Sequence, residues 1–225
     1  LLEEEVIINA LENPIGSNRI SEIVKPGEKI CILVSDTTRL YQRMYIYMTY
    51  IIKELEKAGV KDEDVFFISA IGSHRKQTPK EHEILVGKEL YKRFKVIDHD
   101  CDDKDNLVYL GTTTRGTPVH INKLAYEADH IISTGAVVYH VMSGWGGGRK
   151  SIVPGISARE TIMKNHTLSL SSVVGEGPNP SCDCALYENN PLNLDMIEAV
   201  EMLNPSFMFN VILGGGKIID AVSGN

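Results

Sequence analysis

Two runs of apolar residues, each followed by a polar loop, stand out in the first third of the chain. KICILVS (29–35) and VFFISA (65–70) are apolar at almost every position, which is typical of strands buried on both faces of a parallel sheet. Between them, apolar residues repeat at helical spacing over 42–58, and Gly59 stands where a helix cap belongs. The pattern therefore predicts a strand, a helix and a second parallel strand.

The rest of the chain continues this alternation of strands and helices. A capping box at Thr78, Pro79 and Glu81 marks one further helix start. Other helices are predicted over 3–11, 122–128, 158–165 and 194–203, and strands over 95–100 and 130–134. Hairpins are predicted over 107–121 and 207–223, and a long irregular loop over 173–193. We therefore expect an α/β fold, with a largely parallel, Rossmann-like sheet flanked by helices and with peripheral hairpins, as one domain over 1–225.

Composition narrows the class of protein. With 43% hydrophobic and 24% charged residues the chain suits a folded domain, and its net charge of −7 argues against nucleic acid as a partner. No apolar run approaches the roughly 20 residues that span a bilayer, and the acidic LLEEE start is no signal peptide. Four cysteines without a bridging pattern favour a reduced, cytoplasmic protein with free thiols at Cys182 and Cys184.

Three loops leave the carboxyl ends of predicted strands, where α/β sheets bind ligands. They are SDTTR (35–39), IGSHR (71–75) and the stretch after 134. Asp36 and Arg39 in the first loop suit either a helix cap with a surface arginine or recognition of an anion. His74 in the second loop suits either a surface histidine or a site residue.

The stretch HVMSGWGGGRKSIVPG (140–155) resembles a damaged phosphate-binding loop. Counting from Gly144 as the first glycine of a P-loop, Arg149 occupies the position of the second, and Pro154 follows too soon for a regular helix. We therefore reject the P-loop interpretation. Glycines still let backbone approach a ligand closely, and Lys150 remains either a phosphate contact or a nucleophile.

His166 in KNH has two interpretations, a helix-end residue or a metal ligand. The four remaining histidines, at positions 82, 99, 120 and 130, carry no assignment. Histidines, a lysine, an aspartate and an arginine thus converge on loops after strands, and this convergence indicates one common site.

These stretches together resemble the nickel-dependent lactate racemase family. The resemblance rests on SDTTR, AIGSHR, HVMSGWGGGRKSIVPGI and KNH, in the family's order and spacing. It implies a nickel pincer nucleotide, a pyridinium-3,5-bisthiocarboxylic acid mononucleotide complex, attached covalently to Lys150, with His166 as the protein ligand to nickel. It also implies that His74 and His140 are catalytic. The cofactor-binding residues it implies are Asp36, Thr37, Thr38, Arg39, Ser143, Lys150 and Pro154.

The implied reaction is racemisation of a 2-hydroxy acid, with lactate as the default substrate. Removal of the α-hydrogen as a proton is difficult beside a carboxylate, whereas hydride transfer coupled to loss of the hydroxyl proton is easier. Two bases on opposite sides of the substrate would explain two histidines. Enzymes that make the cofactor are implied partners. The alternatives are another 2-hydroxy acid as substrate, or an inactive cofactor-binding fragment.

Two features depart from the family pattern. Leu40 replaces the proline that usually follows the arginine of the first motif, which we expect to alter loop stiffness and not chemistry. Family members also carry a second, C-terminal domain that supplies a glutamine and a lysine to the substrate. The chain starts on Leu and stops just after a strand-like run, so we expect it to be the N-terminal part of a longer protein.

Overall fold

The computed structural model describes residues 2–225, which form a central sheet with helices on both faces. The strands are β1 (Ile30–Val34), β2 (Val65–Ser69), β3 (Lys95–Asp98), β4 (Leu107–Thr112), β5 (Pro118–Asn122), β6 (His130–Ala136), β7 (Tyr139–His140), β8 (Gly144–Trp145), β9 (Phe207–Gly214) and β10 (Lys217–Gly224). The α-helices are α1 (Glu3–Glu12), α2 (Ile20–Ile23), α3 (Met44–Lys57), α4 (Pro79–Val86), α5 (Lys88–Arg93), α6 (Lys123–Tyr126), α7 (Arg149–Ile152), α8 (Arg159–Thr167) and α9 (Pro191–Leu203). Short 3₁₀ turns cover Thr37–Gln42, Asp62–Asp64 and Lys104–Asn106.

The central sheet has six strands in the order β10-β9-β6-β1-β2-β3. All neighbours are parallel except β10, which runs antiparallel to β9. Ile32 in the middle of β1 pairs with Phe67 on one side and Ile132 on the other. The expected largely parallel α/β sheet is therefore confirmed, with β1 at its centre.

Alternate residues of β1 supply two separate cores. Ile30, Ile32 and Val34 pack into the core beneath α1, α2, α3 and α4. Cys31 and Leu33 point to the other face and pack with residues of α7, α9 and the β4–β5 hairpin. Because both faces of the sheet are covered, its strands read as continuous apolar runs instead of alternating ones.

The structure differs from the predicted elements in three places. The β4–β5 hairpin is a separate two-stranded sheet, as expected, but the last hairpin belongs to the main sheet because β9 pairs in parallel with β6. The helix predicted from 42 begins at Met44, after the 3₁₀ turn and a left-handed Arg43. Helix α9 begins at Pro191, where the Asn190 side chain accepts a hydrogen bond from the Asn193 amide. All four cysteines are free, as expected.

No helix within residues 2–225 combines the length and the apolar character needed to cross a membrane.

Candidate functional site

A cavity of about 380 Å³ lies at the carboxyl ends of β1, β2 and β6. The three loops that the sequence pointed to meet there, because parallel strands bring their carboxyl ends to one edge of the sheet. The predicted site residues that line the cavity are Thr38, Arg39, His74, His140, Lys150, Pro154 and His166. Seven of the ten predicted positions thus share one cavity.

The first loop is organised by Asp36, which is 97% hidden from solvent and caps the 3₁₀ turn by accepting the Thr38 amide at 3.0 Å. Its carboxylate also accepts a hydrogen bond from the Thr38 hydroxyl and lies 3.2 Å from Arg39 Nη1. Burial works against the charged carboxylate. The hydrogen bonds from Thr38 and His74 and the Arg39 charge outweigh burial and lower the pKa of Asp36 below its ordinary value. Asp36 therefore stays ionised and fixes the loop.

The second loop places His74 at the cavity wall, half exposed and hydrogen-bonded through Nδ1 to the Asp36 carboxylate. A carboxylate only accepts hydrogen bonds, so Nδ1 of His74 carries a proton and donates it to Asp36. Gly72 in the same loop has φ +56°, and a Cβ there would lie 3.3 Å from the Pro154 carbonyl. Close packing of the second loop on the 140–155 stretch therefore requires glycine at this position.

The glycine segment, residues 144–148, lies directly against β6. A Cβ on Gly146 would lie 2.9 Å from the Ala136 carbonyl oxygen. The Ser133 hydroxyl donates to the Gly148 carbonyl at 2.5 Å, and the Gly148 amide donates to Asn210 Oδ1 at 2.6 Å. These contacts hold the segment against the sheet, and Gly146 and Gly147 line the cavity.

Arg149 and Lys150 follow the glycine segment, and their side chains have different partners. Arg149 donates to the carbonyls of Gly146 at 3.0 Å and Trp145 at 2.7 Å, and to Asn193 Oδ1 at 2.9 Å. Its guanidinium therefore hydrogen-bonds to the loop and to helix α9, and it is not free to bind a phosphate. This explains why an arginine occupies the position where a P-loop would need glycine.

The Lys150 amine faces the cavity, 3.4 Å from the Ser143 hydroxyl. Burial, with the positive charges of Arg39 and Arg149, lowers the pKa of Lys150 to about 7. A substantial fraction of the amine is therefore unprotonated at neutral pH. An unprotonated, buried amine is a nucleophile, whereas a phosphate contact needs the charged form.

His140 lies in β7 and lines the cavity. Its Nδ1 accepts hydrogen bonds from the backbone amides of Met142 and Ser143, each at 3.2 Å. Burial first, and then the nearby charges of Lys150 and Arg39, lower the pKa of His140 to about 4. His140 is therefore neutral at physiological pH.

His166 projects from the last turn of α8 into the cavity, with Nδ1 donating to the Ile162 carbonyl at 2.8 Å. Burial lowers its pKa, and the Lys150 charge adds to this effect. A neutral imidazole with Nδ1 fixed by a carbonyl presents the Nε2 lone pair, the arrangement found in metal-bound histidines. Residues 2–225 contain no cluster of three or more metal-ligating side chains.

Helix α8 is itself held by a buried carboxylate. Asp195 is fully buried and accepts hydrogen bonds from Thr113 Oγ1 at 2.5 Å, Thr117 Oγ1 at 2.8 Å and Asn165 Nδ2 at 2.8 Å. Since Asn165 directly precedes His166, this network sets the position of the imidazole.

Three predicted residues stay behind the cavity wall. Asp36 supports His74, Ser143 contacts Lys150, and the Thr37 amide donates to Gln77 Oε1 at 2.8 Å.

The sequence did not predict two further groups of residues that shape the cavity. Tyr41 and Tyr139 line the cavity and are 54% and 68% exposed, whereas Gln77 and Asn210 fix its loops from behind. No local pattern in the sequence marked them, and Asn210 lies in the middle of strand β9.

Known proteins are similar to this chain in sequence and in architecture. A family model described as the lactate racemase N-terminal domain matches residues 2–176. The lactate racemase of Thermoanaerobacterium thermosaccharolyticum is 34% identical over 99% of this chain and 51% of its own length. That of Lactiplantibacillus plantarum is 33% identical over 100% of this chain and 51% of its own length. The chain thus spans about half the length of these curated relatives.

Solved structures agree with the sequence comparison. The lactate racemase apoprotein from T. thermosaccharolyticum superposes with a TM-score of 0.88 at 34% identity, over 100% of this chain and 52% of that one. A Thermotoga maritima protein at 18% identity and a TM-score of 0.73, over 99% of this chain and 53% of that one, shares the fold alone. By sequence and by structure, the chain belongs to the lactate racemase N-terminal domain family.

Proposed function

We propose that the chain is the cofactor-binding part of a 2-hydroxyacid racemase, with lactate as its substrate. The observation that carries the proposal is that the Lys150 amine and the His166 imidazole open onto one cavity, where burial lowers the pKa of both groups and so favours the neutral forms that their tasks require. Lys150 would be the covalent anchor of a nickel pincer nucleotide and His166 the protein ligand to nickel. Both curated relatives are named lactate racemases, which supports lactate as the proposed substrate.

The residues of the cavity fit such a cofactor. Gly146 and Gly147 line the cavity without side chains, and the segment can lie against β6 because Gly146 has no Cβ to strike the Ala136 carbonyl. Lys150 offers a nucleophilic amine at one edge, and Arg39 can meet a phosphate or carboxylate with the part of its guanidinium that Asp36 and Thr38 leave free. His166 supplies a single nitrogen donor, which suits a metal whose other ligands belong to the cofactor.

When bound, the nickel pincer nucleotide would supply the acceptor for the hydride that leaves the substrate. The chain's own residues would bind and orient the hydroxy acid and handle its hydroxyl proton. His74, whose Nδ1 is bound to Asp36, would accept that proton at Nε2. His140 lines the same cavity as a second candidate acid or base, and Arg39 would balance the substrate carboxylate.

Mass spectrometry of protein produced together with cofactor-synthesis enzymes tests the proposal. We expect an adduct on the peptide that contains Lys150, and its absence from Lys150→Arg protein made in the same way. An unmodified mass in protein from cells shown to make the cofactor would contradict the proposal.

A second candidate function is an inactive binding module that holds the cofactor without turnover. Two observations favour it: the chain spans about half of its relatives, and Tyr41 and Tyr139 lie exposed at the cavity. Assay of lactate interconversion by residues 1–225 that carry the adduct separates the two. Turnover would exclude the module, and an adduct without turnover would support it.

A further inference from the structure

Three polar side chains that line the cavity are almost completely buried. Ser35 directly follows β1, Gln42 ends the 3₁₀ turn that carries Arg39, and Ser151 lies in α7. They are 7%, 4% and 5% exposed. Buried polar groups nearly always have hydrogen-bond partners, because leaving one unpaired is unfavourable. The partners of these three side chains therefore show which of them is available to a ligand.

Both serine hydroxyls donate to acceptors within the protein. Ser35 Oγ donates to Gln42 Oε1 at 3.1 Å, and Ser151 Oγ donates to the Thr134 carbonyl at 2.7 Å. A hydroxyl has one hydrogen to donate. Neither serine can therefore donate to a ligand while these bonds persist.

The side-chain amide of Gln42 has a different status. Its oxygen accepts from Ser35, which fixes how the amide group is turned. Its Nε2 carries two hydrogens and has no hydrogen-bond partner among residues 2–225. This nitrogen is also not completely enclosed by protein. Since Gln42 lines the cavity, the cavity is the space from which an acceptor can reach the nitrogen.

The residues around the cavity favour a negatively charged acceptor. Arg39 lies three residues before Gln42 in the same turn and lines the cavity with it, as does the Lys150 amine. No aspartate or glutamate of residues 2–225 lines the cavity. An anionic oxygen in the cavity would thus meet both positive charge and unpaired N–H groups. Hydrogen bonds to charged groups are stronger than those between neutral groups.

We propose that Gln42 is a ligand-binding residue, whose side-chain amide donates a hydrogen bond to an anionic oxygen of the bound molecule. Ser35 is the positioning residue, because it holds Oε1 and so leaves Nε2 for the ligand. Two sources of the oxygen are the phosphate of a mononucleotide and the carboxylate of a 2-hydroxy acid. The choice of these two sources rests on the proposed function, whereas the unpaired amide is a property of the fold.

Nitrogen-15 NMR of residues 1–225 with labelled glutamine tests the contact, because the chain has only two glutamines, Gln42 and Gln77. The probes, added at constant ionic strength, are inorganic phosphate, lactate and nicotinamide mononucleotide, whose only anionic group is its phosphate. We expect the Gln42 side-chain amide signal to shift. The Gln77 signal should stay, because its Nε2 already donates to Ser69 and Asp98.

The three probes distinguish the sources of the oxygen. A Gln42 shift with phosphate and with the mononucleotide assigns the contact to a phosphate, and a shift with lactate alone assigns it to a carboxylate. A Gln42 signal that moves no more than that of Gln77 with all three probes would overturn the inference.

Three variants separate the contact from a purely structural role. With the probe that shifts the signal, we expect Gln42→Met to weaken binding about tenfold, as loss of a hydrogen bond to a charged group does. Gln42→Glu should weaken it further, because it sets a carboxylate against an anion. Ser35→Ala keeps the Gln42 N–H groups and should weaken binding less than Gln42→Met.

Titration calorimetry gives the dissociation constants, and urea denaturation shows that each variant is folded. Wild-type affinity in a folded Gln42→Glu variant would refute the donor role. The adduct on Lys150 is measured separately. Its absence from protein in which the Gln42 contact is intact would refute the proposed function alone.

Discussion

Arg149 and Lys150 are neighbours in sequence, yet the guanidinium of one is bound to loop carbonyls and Asn193 while the amine of the other faces the cavity. Both residues lie in the one-turn helix α7, where Arg149 has a structural role and Lys150 is the candidate for chemistry. The arginine secures the glycine segment, and it also lowers the pKa of the lysine beside it. Their separate tasks give different expectations for substitutions.

Arg149→Met should destabilise the fold strongly. The change leaves the Gly146 and Trp145 carbonyls and Asn193 without their donor, so we expect a loss of about 2–4 kcal/mol in the free energy of unfolding. Urea denaturation followed by circular dichroism measures it. Arg159→Met is the control, because Arg159 is half exposed and pairs only with Asp102, where a loss below about 1 kcal/mol is expected. Equal losses would show that Arg149 is not a structural anchor.

Lys150→Met should stabilise the apoprotein in a pH-dependent way. The pKa of Lys150 is lowered from 10.5 to about 7 in the folded chain. Between these values the unfolded chain binds one more proton, so wild-type stability rises with pH there and is lowest below about pH 7. The variant should therefore exceed wild type by about 1–3 kcal/mol at pH 6, and the gap should close toward pH 10.

Unfolding free energies of wild type and variant from pH 6 to pH 10 test this expectation. Lys104→Met is the control because Lys104 is exposed, and its difference from wild type should not change with pH. A constant difference for Lys150→Met would mean that the amine keeps its ordinary pKa.

Nickel binding should depend on one histidine only. We expect His166→Ala to lose nickel and His74→Ala and His140→Ala to retain it, because only His166 is assigned to the metal. Elemental analysis of protein made with the cofactor-synthesis enzymes gives the nickel content of each. Similar content in all three variants would contradict this division of roles.

Asp195→Ala should disturb the site from a distance. It removes the acceptor of two threonine hydroxyls and of Asn165, so we expect a loss of about 3–5 kcal/mol in stability. Nickel retention should fall with it, since Asn165 precedes His166. Glu201→Ala, an exposed position on the same helix, should be close to neutral in both measurements.

The sequence predicted the parts of the fold that local patterns determine. The strands β1 and β2 were recognisable because both faces are buried, and His74 was recognisable because it follows a buried strand. The convergence of the loops that carry Arg39, His74 and Lys150 on one cavity follows from the geometry of parallel strands, whereas the position of His166 depends on the contact between Asn165 and the distant Asp195.

Side-chain partners distant in the chain were not predictable. Asn210 reaches the Gly148 amide only because β9 pairs with β6, with Gly135 opposite Asn210. That pairing depends on burial of the whole sheet, and no local pattern specifies it. The tautomer of His140 likewise depends on the turn at 142–143, which brings two amides to one ring nitrogen.

The hydrogen bond between Gly148 and Asn210 can form only at a late stage of folding. It joins residues 62 positions apart, so the glycine segment lacks this support until β9 has been synthesised and has paired with β6. In an unfolded chain a solvated lysine keeps its ordinary pKa and is protonated at neutral pH. Burial lowers the pKa of Lys150 in the folded chain, so we expect the attachment proposed for it to follow the pairing of β9 with β6.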